Sequence, residues 1–135
     1  MALGLGLRLA FVFLEPETYP IGDETVWVTW GAKVLPSPEV AFSPIAPAFR
    51  FIFHPPGYLY FIGAFFALFG SLTAVKIAQA VVSALLVPAV GRLGTMAFGP
   101  RAGVFAAAIC ALYPELVWFS AHFWAETLFL TVFWW

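Results

Sequence analysis

The stretch LTAVKIAQAVVSALLVPAVGRLGTMAF, Leu72 to Phe98, carries only two charges, Lys76 near its start and Arg92 near its end. As a helix it would be about 40 Å long at 1.5 Å per residue, more than the roughly 30 Å hydrocarbon core of a bilayer. That reads as a membrane span, with Pro88 as its expected kink. The rest of the chain agrees with a lipid setting. Of 135 residues, 63% are hydrophobic and 10% charged, with a mean hydropathy of +0.96, against roughly 25% charged in a soluble domain. So few charges cannot coat a water-soluble globule of this size.

C-terminal to this span, Arg92, Gly94, Gly99, Pro100 and Arg101 make a tight basic turn. Ala102 to Ser120 follows as another span, bent at Pro114, and a further one starts near Glu126 and runs to Trp135. The last reaches only about nine residues past Glu126, about 14 Å of helix, so an incomplete span in a truncated protein is expected. N-terminal to it, Gly57 to Phe69 is apolar but only about 20 Å long as a helix. It is opened by Pro55 and Pro56 and broken by Gly70 and Ser71. Ala2 to Leu14, ended by Glu15 and Pro16, is a short first span whose Arg8 snorkels or faces protein. It fits a cleavable signal poorly, because the charge sits late, the apolar run after it is brief and no small-x-small site follows.

Glu15 to Arg50 holds five of the seven acids and no long apolar run, so it is an extramembrane loop. Within it Asp23, then Trp27, Trp30 and Val34 at helical spacing, with Pro36 beyond, predict a short helix capped by Asp23 and lying at the membrane surface. If Gly57 to Phe69 does not cross, Arg92 and Arg101 share the N-terminal side and the acid-rich loop shares the other with Glu126, as the positive-inside rule asks. The expected fold is all-α: a polytopic membrane helical bundle of about three to four spans, forming one unit over residues 1–135. The spans are 2–14, 72–98, 102–120 and a truncated 126–135, with an outer loop 15–71 carrying interfacial helices near 23–35 and 56–69.

Ionisable groups at or inside a bilayer are costly, so each calls for a reason. Asp23 and Glu24 open the predicted surface helix, where carboxylates meet exposed N–H groups; such a group can also take a proton from an attacking hydroxyl. Glu126 lies four residues after His122, so the two can share a helix face, with His122 as hydrogen-bond partner to a second active-site acid. Glu115 lies deeper, beside Pro114. His54 can shape a pocket with Tyr58, and Arg50 or Lys76 can supply positive charge to a leaving phosphate. His122 and Glu126 alone are too few ligands for a metal site, and a divalent cation is retained only as a candidate cofactor. Cys110, among alanines, reads as a buried inert thiol.

The net charge of −1 with no basic run excludes a nucleic-acid footprint. No phosphate-cradling glycine loop, cysteine-rich metal pattern or serine or cysteine nucleophile arrangement is present. Chemistry on soluble nucleotides has no home in this sequence.

Six pieces follow one another along the chain: Gly22-Asp23-Glu24, His54-Pro55-Pro56-Gly57-Tyr58, Ala67-Leu68-Phe69-Gly70, Phe98-Gly99-Pro100-Arg101, Ala111-Leu112-Tyr113-Pro114 and Ala125-Glu126-Thr127-Leu128-Phe129. In this order they resemble the N-terminal part of multi-spanning glycosyltransferases of the C superfamily, closest to family 39 and its protein-mannosyltransferase-like and aminoarabinose-transferase-like bacterial enzymes. The resemblance implies a multi-pass protein of the cell membrane with a lumenal or periplasmic active site. It implies a polyprenyl-phosphate sugar donor, a lipid, glycan or protein acceptor, Asp23 as the leading acid-base candidate with Glu24 beside it as a further candidate, and Glu126 as a second outer-face acid. Val26 and Trp27 stand where such enzymes usually carry a tyrosine, and Glu115 where an apolar residue is common. A truncated piece of such an enzyme is expected to be inactive alone. The rival reading is a non-enzymatic small membrane protein or transporter fragment with an ion or proton path through Glu115, His122 and Glu126.

Overall fold

A computed structural model describes residues 1–15, 20, 22–35 and 56–135. Among these residues the regular secondary structure is all helical: α1 (Ala2–Leu14), α2 (Asp23–Val34), α3 (Pro56–Phe69), α4 (Leu72–Phe98), α5 (Pro100–Leu112), α6 (Pro114–Ala121) and α7 (Glu126–Trp134). Two compact units form. One comprises Met1–Glu17, Lys76–His122 and Glu126–Trp135, the other Thr18–Val75 and Phe123–Ala125.

α4 is long and apolar enough to cross a membrane, and Pro88 sits inside it without ending it. α5 and α6 pass the same test together as one bent pair, turned by 46° at Tyr113. The bend falls where Pro114 was expected to place it. α1, at 13 residues, and α7, at nine, are shorter than the roughly 20 residues of an upright crossing. α3 is likewise among the short apolar helices, as its flanking prolines and Gly70 required. Gly70 turns the chain into α4 at φ +62°, a backbone setting that favours glycine.

In the first unit the helices approach through small residues. A Cβ added to Gly103 on α5 would lie 2.6 Å from the Gly91 carbonyl oxygen and 2.9 Å from the Thr95 amide nitrogen of α4. One at Gly91 would lie 3.0 Å from Ala107 Cβ. Small-xxx-small packing of this kind joins helices whose surroundings are as apolar as their own side chains. Leu86 and Val87 then pack with Cys110 and Ala111, and Val12 with Ala80 and Ala121. Cys110 is a buried free thiol, as its alanine-rich setting predicted.

Breaking α5 from α6 strands backbone carbonyls, and buried polar side chains take them up. Pro114 has no N–H to give to Cys110, four residues back. Arg8, fully buried, reaches across from α1 and donates to Cys110 O at 3.4 Å, Ala111 O at 3.2 Å and Gly4 O at 2.9 Å, and from Nε to Ser83 Oγ at 2.8 Å. Arg8 therefore faces protein and does not snorkel. At the other end of α6, Gln79 donates to the carbonyls of Phe119 at 2.6 Å and His122 at 2.5 Å, and Thr127 donates to Phe119 at 3.1 Å. Thr131 Oγ1 on α7 and Trp135 Nε1 just beyond it donate to Val82 and Leu85 of α4, in the stretch ahead of Pro88.

In the second unit α2 and α3 pack face to face. Glu24, Trp27, Gly31 and Val34 are the buried face of α2, spaced by three, four and three residues as one helix stripe. Trp27 meets Tyr58 edge to face, with centroids 5.0 Å apart at 85°. The backbones close where glycines face one another: a Cβ on Gly31 would lie 2.7 Å from Ile62 Cγ2, and one on Gly63 would lie 2.8 Å from the Gly31 carbonyl oxygen. Trp27 is thus a buried contact of α2 with α3, and only Trp30 of the expected surface pair is partly open.

Candidate functional site

Asp23 is exposed at the first helical position of α2. The expectation that it caps the helix is corrected here, because the N-cap is Gly22, at φ +58°. Gly22 adopts a backbone conformation disfavoured for residues with a Cβ, which moves the cap one residue ahead and leaves the Asp23 carboxylate in the first turn. There it meets the positive end of the helix dipole. Glu24, one residue on, turns inward. It is 5% exposed, and its Oε1 accepts a hydrogen bond from the Phe123 N–H at 2.9 Å. The expected acidic pair therefore divides, one carboxylate open to solvent and the other bound to backbone.

His122 and Glu126 do not share a helix. α6 stops at Ala121, His122 takes extended dihedrals, and α7 begins only at Glu126. The break defeats the spacing of four residues, which brings side chains together only while the helix continues. His122 instead places Nε2 3.0 Å from Glu15 Oε1 and Nδ1 3.0 Å from the Trp118 carbonyl, with its ring stacked on Trp118 at 3.8 Å. Glu15 had entered the sequence reading only as the end of the first span. Its place at the edge of an apolar run was the signal, since a carboxylate there needs a partner.

Glu126 is exposed in the first turn of α7, and Glu115 is exposed in the first turn of α6. Lys76 is half-buried on α4, and Tyr58 is buried against Trp27. His54 and Arg50 lie outside the described residues. Among the described residues no three His, Cys, Asp or Glu side chains are grouped to hold a metal ion, so no ligands are assigned to the candidate divalent cation. Glu115, His122 and Glu126 likewise form no such group.

The helices, the short aromatic α3 that opens at Pro56 and the bend at Tyr113-Pro114 are the structural settings of the motifs between Pro56 and Phe129. Against known families, the model of the dolichyl-phosphate-mannose-protein mannosyltransferase family matches residues 53–135. The chain belongs to this family. The mannosyltransferase match covers α3 to α7 and begins after Asp23 and Glu24. No curated protein matches the chain, and no solved structure does. Its family makes the chain mannosyltransferase-like, a glycosyltransferase in general terms, and a dolichyl-phosphate sugar donor is consistent with that membership.

Proposed function

We propose that the protein transfers a hexose or pentose, mannose first among them, from a polyprenyl-phosphate donor to an acceptor hydroxyl at the outer face of the cell membrane. Asp23 serves as general base. Its carboxylate takes the proton of the acceptor hydroxyl, and the oxygen attacks the anomeric carbon. The bond from that carbon to the phosphate oxygen breaks, and the lipid phosphate leaves with the electron pair, inverting the centre. Glu126 orients the acceptor. Arg50 and Lys76 offset the charge of the leaving phosphate, and His54, Tyr58 and His122 shape the binding surface. The acceptor is a lipid, a glycan or a protein.

The observation that carries this reading is the family match over α3 to α7, joined to an exposed carboxylate on a helix whose opposite face is fixed to α3. A multi-pass membrane setting is part of the proposal. It is supported by α4, by the bent pair α5 and α6, and by the internal donors at the two helix breaks that flank α6. Where water is absent, freed carbonyls need protein donors, and Arg8, Gln79 and Thr127 supply them.

Donor choice tests the reading. Membranes carrying the protein are expected to transfer labelled mannose from polyprenyl-phosphate mannose and not from a nucleoside-diphosphate mannose. Transfer from the nucleotide donor alone, or from neither, contradicts it.

A further inference from the structure

The connector between α6 and α7 starts with an amide that the helix has abandoned. Continued helically, the Phe123 N–H would donate to Phe119, four residues back. That carbonyl is instead taken by Gln79 and Thr127. Phe123 is itself 4% exposed, and a buried N–H without an acceptor is costly. The acceptor it finds is Glu24 Oε1 at 2.9 Å, 99 residues away in sequence. Glu24 can serve because α2 is held on α3 along the same face, through Trp27, Gly31 and Val34.

We infer that Glu24 is a positioning residue, whose carboxylate oxygen pins the backbone of the Phe123–Ala125 connector to the first turn of α2. The effect on transfer rests on the function proposed above; the hydrogen bond does not. The role asks for an oxygen that accepts one N–H, and neither a negative charge nor a transferable proton is needed. Glutamine keeps that oxygen in its side-chain amide, whereas alanine removes it. The two substitutions therefore separate a clasp from a chemical acid or base.

Hydrogen exchange of the chain in lipid nanodiscs reads the clasp directly, and mannosyl transfer reads its consequence. In Glu24→Ala the Phe123 amide is expected to exchange about 10-fold faster or more, the scale of a lost hydrogen bond to a charged group, and kcat falls while the KM for donor changes little. In Glu24→Gln the amide stays protected and transfer is retained. An unchanged Phe123 rate in Glu24→Ala, or equally fast exchange in Glu24→Gln, overturns the clasp. A protected amide with abolished transfer in Glu24→Gln also overturns the assignment, because Glu24 would then act chemically. Where Glu24→Ala fails to fold, Glu24→Gln decides alone: protection with transfer supports the clasp, and loss of either overturns it. Should the proposed reaction itself fail, the exchange result still stands or falls independently.

Discussion

Arg8 donates from Nη2 to the carbonyl oxygen of Cys110 at 3.4 Å, the acceptor that Pro114 leaves without an N–H four residues on. The guanidinium thus closes a gap made by a proline on a different part of the chain. Arg8→Met keeps much of the apolar bulk and removes the donors, orphaning the Cys110 and Ala111 carbonyls in a buried place. A loss of about 2–4 kcal/mol is expected, measured by equilibrium unfolding in detergent. In a Pro114→Ala background, where an N–H is restored, the same change is expected to cost at least about 1 kcal/mol less. Equal losses in the two backgrounds would separate Arg8 from the proline.

Much of this was legible in the sequence, and the misses share one cause. Apolar run length and proline position set α4, the bend before Pro114 and the short α3, because backbone hydrogen bonding leaves few alternatives there. Spacing arguments failed where a helix did not continue. His122 and Glu126 looked like helical neighbours until the chain turned between them, and Asp23 looked like a cap until Gly22 took that place. The partners of Arg8, Glu15 and Glu24 lie at separations of up to 107 residues, that of Glu15 from His122, and no local pattern encodes such pairings.

Gly63 is held against the Gly31 carbonyl, where an added Cβ would lie 2.8 Å from a backbone oxygen that no rotamer change can move. Gly63→Ala is expected to push α2 from α3 and destabilise that pair by about 1–3 kcal/mol. Faster amide exchange along α2, with α5 unaffected, is the measurement that checks it.

Gly103 and Gly6 make a paired test of the small-residue contact between α4 and α5. A Cβ on Gly103 meets the α4 backbone, whereas one on Gly6 meets nothing within 4 Å. Gly103→Ala is expected to lower stability by about 1–3 kcal/mol. Gly6→Ala should be neutral or stabilising by up to about 1 kcal/mol, since alanine favours a helix interior over glycine. Thermal unfolding of both variants decides between close packing and mere helix propensity.

Glu15 and His122 should be energetically coupled. Their side chains are 15% and 12% exposed and lie 3.0 Å apart, shielded enough to exceed a surface pair. A double-mutant cycle with Glu15→Gln and His122→Gln is expected to give a coupling of about 0.5–3 kcal/mol. Additive losses would mean that the contact holds nothing together.

The most direct test of the central claim is mannosyl transfer from polyprenyl-phosphate mannose by membranes carrying the protein or its Asp23→Asn variant. Asparagine preserves the size of Asp23 but cannot take a proton, and removing a charge beside the helix start costs only about 0.3–1 kcal/mol. Loss of a general base costs about 10²- to 10⁴-fold in rate, well beyond that. A folded Asp23→Asn protein with turnover reduced at least about 100-fold is the predicted result; near-normal turnover by that folded variant would contradict the assignment of Asp23 as the base.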